Sequence, residues 1–155
     1  MICWRIYHRR FADALSGEGA RRYGGRWNPR GLPTLYLAST PSLAMAEKLV
    51  QAPMLSQAND FLAAEIEIDA RHLPPFTAAT LPESWNAEPF TSATPAFGAR
   101  QFLELGRLGF RVPSVVVPLE YNIVIHTAHP DFSRHVKCLR DALPFPFDQR
   151  LLRHD

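Results

Sequence analysis

The sequence predicts an α+β fold, and two observations carry that prediction. Runs with strand-like patterning at 3–7, 34–38, 61–68, 114–117 and 121–126 are interleaved with only two helical stretches, 41–51 and 97–106. No regular strand–helix–strand rhythm links them, which argues against a doubly wound parallel sheet. The 155 residues fit a single domain over 1–155.

Residues 3–7 read as a short first strand. A loop from Ser16 to Asn28 follows, holding Gly17, Gly19, Gly24 and Gly25. Its Gly17-Glu18-Gly19-Ala20 lacks the G-x-G-x-x-G spacing of a dinucleotide fingerprint, and no convincing helix follows. Thr34 to Ala38 reads as a buried strand. Thr40 and Pro41 then open a helix that runs to about Gln51: a threonine hydroxyl suits the N-cap, and proline needs no N–H at the first helical position. Leu62, Ala64, Ile66 and Ile68 alternate with Glu65 and Glu67, the pattern of a half-buried strand. From Leu73-Pro74-Pro75 to Thr94-Pro95 the chain is proline-rich and aperiodic, a long surface excursion within the domain. A helix over 97–106, an apolar β-branched run at Ser114–Val117 between Pro113 and Pro118, and a strand at Tyr121–His126 complete the series.

Composition narrows the class. Hydrophobic residues make up 46% and charged residues 21%, with ten Phe, four Tyr and three Trp, enough for a packed core and unlike a disordered chain. Cys3 and Cys138 are too few for a disulfide framework and fit a reducing compartment. The N-terminus lacks the pattern of a signal peptide, and no apolar run approaches the roughly 18 residues of a membrane span. A cytoplasmic protein without a membrane partner is expected. The net charge of +2 is too small to argue for nucleic acid. Its distribution is uneven: residues 1–30 hold seven Arg against Asp13 and Glu18. The planar arginine fork suits phosphate, although a solvated basic face fits the same charges.

Glu47 is the most informative single residue. On a helical wheel Leu43, Met45, Ala46, Leu49 and Val50 form an apolar stripe, Glu47 falls at its border, and Lys48 and Gln51 lie further round. A carboxylate there is partly withdrawn from water, which costs free energy unless a partner or a function compensates. A surface glutamate pairing with a neighbour is the alternative. The glycine-rich loop can deliver Arg26 into a cleft, or can be a plain surface turn. Tyr36, in mid-strand, is by default a core aromatic. Ser114 lacks the G-x-S-x-G elbow of a hydrolase nucleophile. His126 and His129 stand three apart without a third ligand, so no metal site is expected.

In order along the chain, Trp4-Arg5-Ile6, Gly17-x-Gly19-Ala20, Gly24-Gly25-Arg26-Trp27-Asn28, Leu35-Tyr36-Leu37-Ala38, Ala46-Glu47, Val112 to Pro118 and Glu120-x-Asn122 resemble the RES domain family. Arg26, Glu47 and Ser114 match the three residues for which that family is named. His129-Pro130-Asp131-Phe132 and Phe147-Asp148-x-Arg150 resemble its C-terminal pattern, and His126 departs from it where Asn is usual. The resemblance implies a fold similar to ADP-ribosyltransferases of the diphtheria-toxin type, a mixed sheet with flanking helices. It also implies the toxin of a type II toxin–antitoxin pair, neutralised by an Xre-like helix-turn-helix antitoxin covering the active site, with room for a homodimer in that complex. NAD would be the substrate, cleaved between nicotinamide and ribose by hydrolysis or phosphorolysis, with no further cofactor and no direct nucleic-acid binding. Mono-ADP-ribosylation of a specific cellular protein is the alternative.

On that resemblance Glu47 would stabilise the oxocarbenium-like cation that develops on the ribose as nicotinamide leaves. Arg26 would hold the pyrophosphate, Tyr36 would pack against the nicotinamide, and Ser114 would orient Glu47 or a ribose hydroxyl. Arg5, Trp27, Asn28 and Asn122 are the expected substrate contacts. A binding module that recognises nucleotide or RNA without turnover would instead show a continuous basic stripe with exposed aromatics.

Overall fold

Six strands build one sheet in the computed structural model, which describes residues 1–11, 13–51 and 59–152. They are β1 (Ile2–His8), β2 (Thr34–Ala38), β3 (Phe61–Ile68), β4 (Gly109–Pro113), β5 (Tyr121–His126) and β6 (Val136–Pro144), in the order β4-β5-β2-β1-β3-β6. The α+β architecture agrees with the sequence. The sheet itself, expected to be mixed, is antiparallel through its strand pairs, and the parallel pairing seen among the described residues is the isolated bridge of Pro75 to Arg111. The domain expected over 1–155 also includes 12, 52–58 and 153–155, which lie outside the described residues.

Two half-sheets meet at a narrow seam. β1 pairs with β3 along its whole length, and β2 pairs with β5 from Thr34–His126 to Ala38–Asn122. Between β1 and β2, by contrast, the register consists of Trp4 opposite Ala38. Beyond that point the strands part, and residues 14–17 fill the gap. There the Gly17 carbonyl accepts from the Thr34 amide at 3.4 Å, and the Arg5 guanidinium donates to the Ala14 and Ser16 carbonyls at 2.5 and 3.1 Å.

Alternation along the strands buries both faces. Cys3, Leu35, Leu37, Ile66, Ile68, Ile123 and Ile125 fill one core. The opposite face carries two separate clusters. One gathers Ile6, Ala38, Phe61 and Ala63 beneath Leu43 and Ala44 of α2 (Pro41–Gln51), and the other gathers Phe110, Val112 and Val124 around Trp27. β3, expected to be half-buried, is therefore covered on both sides over its first half. α2 starts where the sequence places it: the Thr40 hydroxyl accepts from the Leu43 amide at 3.0 Å. Val50, expected in the apolar stripe, is 58% exposed, so the buried face of α2 is centred nearer Leu43 and Ala44.

Other expectations need correction. A short helix, α1 (Glu18–Tyr23), interrupts the predicted glycine-rich loop, held by Glu18 pairing with Arg21 and Arg22 one turn on. The strand near Ser114 lies earlier, as β4. Ser114–Val117 is a turn because the Ser114 hydroxyl accepts from both the Val116 and Val117 amides at 3.0 Å. The second long helix begins sooner, at Ala93, with α3 (Ala93–Ala99) continuing into a π turn over Arg100–Glu104. The proline-rich excursion is no plain surface loop, since Leu73 and Leu81 are buried and Trp85 stacks on Trp27 with ring centroids 6.5 Å apart. α4 (Phe132–His135) and β6 were not anticipated; β6 is an edge strand, mostly exposed and without a clean alternation to read.

α3 packs against the Trp27 backbone through Gly98, where an added Cβ would sit 1.7 Å from the Trp27 carbonyl oxygen. Neither backbone can yield without opening the aromatic cluster. Gly98→Ala should therefore cost about 3 kcal/mol or more, read as a lowered denaturant midpoint with an unchanged slope.

Candidate active site

Between the two clusters on the same face of the sheet lies a cleft of about 960 Å³, its floor at the β1–β2 seam. Trp4, Tyr36 and Asn122 reach it from three adjacent strands, Glu47 and Lys48 from α2, and Arg26 from the loop after α1.

Glu47 is fixed from the far half-sheet. Its Oε1 accepts from the Ser114 hydroxyl at 2.8 Å and from the Asn122 side-chain amide at 2.6 Å. Ser114 is fully buried, and its hydroxyl is itself oriented by the two turn amides it accepts from. The second carboxylate oxygen has no hydrogen bond among the described residues. Glu120 ties down the start of the same helix, accepting from the Thr40 hydroxyl at 2.5 Å and from Ser39 at 3.4 Å. The helix that carries Glu47 is thus anchored apolarly to β1 and β3, and by polar contacts to the β4–β5 side.

Tyr36 is equally constrained. Its hydroxyl donates to Asn28 Oδ1 at 2.7 Å and accepts from the Trp27 amide at 3.0 Å. Asn28 is 1% exposed and gives its amide hydrogens to the carbonyls of Ala20, Pro29 and Leu32. A side chain at Gly25 would lie 2.7 Å from that hydroxyl, so the Gly24-Gly25 pair lets the loop close over the ring. Burial drives the Tyr36 phenol well above the usual tyrosine range, with the Trp27 N–H and Arg26 opposing.

Arg26 lies at the cleft rim, its side chain 16% exposed. It donates to the Trp85 and Ala87 carbonyls at 2.9 and 2.8 Å and to Glu88 at 2.9 Å, which uses three of its five N–H groups. Deeper in, Arg5 and Lys48 line the gap at the seam. Burial lowers the pKa of both, with the neighbouring Arg5 adding to the effect on Lys48.

The structure therefore gathers Arg5, Arg26, Tyr36, Glu47 and Asn122 around one cleft, with Ser114 immediately behind Glu47. Trp27 borders it, but its ring is buried among Trp85, Phe97 and Phe110. Asn28 stands behind Tyr36 and off the cleft wall. Sequence reasoning missed Lys48, Glu88 and the anchoring role of Glu120. The wheel sets Lys48 beyond the apolar stripe, and nothing in the wheel reveals the cleft in which it is half-buried. His126 stacks on Phe102 and His129 bonds to the Gly106 carbonyl, so these two act in packing and turn formation.

Comparison with known proteins places these residues in context. The RES domain family matches residues 2–148. The Toxin Res of Yersinia enterocolitica serotype O:8 / biotype 1B is 36% identical over 154 residues, covering 97% of this chain and 99% of that one. The Prs ADP-ribosylating toxin of a Sphingobium species is 36% identical over 145 residues, covering 92% and 89%. The NAD(+) phosphorylase MbcT of Mycobacterium tuberculosis is 56% identical over a 46-residue stretch, 29% of this chain and 24% of that one. A chain in the crystal structure of the M. tuberculosis MbcT–MbcA toxin–antitoxin complex shares the fold, with a TM-score of 0.68 at 20% identity over 97% of this chain and 88% of that one.

The Tyr36 hydroxyl serves two buried partners that have no substitute. Tyr36→Phe should lower stability by about 2–6 kcal/mol, since each of the two orphaned groups costs about 1–3. The raised phenol pKa implies a stabilisation that is complete below the unfolded value of about 10 and fades above it. The stability gap between wild type and Tyr36→Phe should thus narrow above pH 10 in denaturant titrations, and a constant gap would contradict the assignment.

Proposed function

The chain belongs to the RES domain family, and on that premise we propose that it is the toxin of a type II toxin–antitoxin pair, a single-domain cytoplasmic enzyme that depletes NAD by cleaving the nicotinamide–ribose bond. The observation that carries this reading is Glu47, a carboxylate held at one oxygen by Ser114 and Asn122 on the wall of a cleft whose other charged side chains are Arg5, Arg26, Lys48 and Glu88. No helix among the described residues is long and apolar enough to cross a membrane.

The chemistry follows from the charges. As the glycosidic bond breaks, its electron pair leaves with nicotinamide, which becomes neutral, and positive charge develops on the ribose. A carboxylate fixed beside the ribose opposes that charge more strongly in the transition state than in the ground state. Because Ser114 and Asn122 occupy Oε1, Oε2 is the oxygen available to the ribose and its hydroxyls. Arg5 and Lys48 supply positive charge for the pyrophosphate, joined by the two N–H groups of Arg26 that its loop contacts leave over. Tyr36 forms the wall against which nicotinamide packs. Water as acceptor yields ADP-ribose and a proton; inorganic phosphate yields ADP-ribose 1-phosphate. An Xre-like antitoxin that covers this cleft would silence the enzyme, and an anionic segment near Arg26 would suit it.

A second reading, transfer of ADP-ribose to a cellular protein, is favoured by one observation: a relative alike over most of both chains is named an ADP-ribosylating toxin. Both readings share the bond-breaking step and so the same residues.

The test is NAD consumption by purified protein with and without phosphate, products read by mass. Nicotinamide should appear, and Glu47→Gln should lose on the order of a hundredfold or more in rate while keeping its fold. Ser114→Ala, which frees Glu47 to rotate, should lose about tenfold. Label retained on an added protein would select the second reading. Near-normal turnover by folded Glu47→Gln would overturn both.

A further inference from the structure

Away from the cleft, Asp69, His72 and His135 converge at the end of the sheet where β3 and β6 meet. Asp69 follows β3 directly and caps a 3-10 turn, Ala70–His72, which places His72 one turn beyond it. His135 closes α4 just before β6 begins. The two segments are already joined by the backbone, the Asp69 amide donating to the His135 carbonyl at 3.3 Å. We propose that these three side chains form a site for one borderline divalent metal ion of the zinc class.

Geometry is the first argument. One ligand atom from each side chain lies within 4.8 Å of the other two, and His72 Nε2 is 3.8 Å from Asp69 Oδ2. Even at the 4.8 Å limit, a point equidistant from three such atoms is about 2.8 Å from each, and zinc bonds are about 2.0–2.2 Å. Rotamer adjustments of less than about 1 Å complete the coordination. The imidazoles are also free to bind. The rings of His72 and His135 lie 4.0 Å apart at 34°, yet neither side chain makes a hydrogen bond to any described residue. Two imidazoles facing each other beside a carboxylate, with their nitrogens otherwise unengaged, have the donor set of a three-ligand zinc site with a fourth position open to water.

The donor set also selects the ion. Two imidazole nitrogens and one carboxylate suit Zn²⁺, Ni²⁺ or Cu²⁺, whereas Mg²⁺ and Ca²⁺ take oxygen ligands throughout. Arg71 is the built-in competitor, donating to both Asp69 oxygens at 3.0 and 2.7 Å. Its side chain is 87% exposed, so this pair is screened and weak. None of the three ligands lines the cleft, so the metal takes no part in the reaction. Its role is to clip the end of β3 to the start of β6, beside the Ile68–Val136 pairing. β6 is the more exposed of the two edge strands.

Isothermal titration of the full, metal-stripped chain with ZnCl₂ tests this, alongside thermal unfolding and with MgCl₂ as the control ion. One zinc per chain should bind, and at a free concentration about one hundred times the dissociation constant the melting temperature should rise by about 5–10 °C. His72→Ala and His135→Ala should each weaken binding at least tenfold with little change in metal-free melting temperature, while His129→Ala should leave binding intact. Arg71→Ala removes the competitor and should tighten binding about two- to fivefold. No saturable zinc binding, or binding that survives loss of either histidine, would overturn the proposal. Neither readout depends on NAD turnover, so failure here is distinguishable from failure of the enzymatic reading.

Discussion

Trp4 opposite Ala38 is the register at which the two half-sheets are joined, and the rest of the molecule is arranged around how little pairing that junction contains. A fully zipped β1–β2 ladder would leave no space between the strands and no reason for residues 14–17 to turn inward. Because the strands diverge instead, the sheet offers a recess at its centre, where backbone groups and buried cations can both face a ligand. Arg5 shows the consequence most directly. Strand alternation puts it beside the core residues Cys3 and Tyr7, yet its guanidinium crosses the gap to the Ala14 and Ser16 carbonyls.

A seam this thin has to be spanned by something else, and α2 spans it. Leu43 and Ala44 bind the helix to the β1–β3 half by apolar burial, worth about 25 cal/mol per Å² removed from water. Glu47 and Thr40 bind it to the β4–β5 half through Ser114, Asn122 and Glu120. The two modes differ in what they can specify. Apolar packing tolerates small slides, whereas hydrogen bonds to a charged oxygen at 2.6–2.8 Å do not. The polar contacts therefore fix the helix rotation that places the carboxylate. The same atoms that hold the halves together present Glu47 to the cleft, so positional precision at this residue is a by-product of closing the sheet.

How far the sequence discloses this depends on the range of each interaction. Local signals survive intact: the Thr40-Pro41 start of α2, the alternation of β3 and the β-branched Tyr121–His126 are set by neighbours in the chain. Glu47 was legible as an anomaly because a carboxylate at the edge of an apolar stripe conflicts with its surroundings at short range. Its partners were not, since Ser114 lies 67 residues away and Asn122 75. For those two the resemblance of whole sequence blocks was informative where spacing was not. Ser114–Val117 misled for a physical reason. Its β-branched content favours a strand, but the Ser114 hydroxyl satisfies two amides that a strand would have to pair elsewhere.

The proline-rich stretch departs furthest from its local sequence signals, and it bears on the cleft. Leu81 and Trp85 pack into the Trp27 cluster, so this segment forms the second wall of the cleft. Arg26 secures it from the other side, through two carbonyls and Glu88, with Phe90 against the guanidinium at 5.6 Å. A lysine could not reproduce this, because a single ammonium cannot serve two carbonyls and a carboxylate while lying flat against a ring. Arginine at this position is thus explained by wall-building before any ligand arrives. The guanidinium contributes charge to the cleft from a fixed point, and any anion that binds there must share Arg26 with Glu88 or displace it.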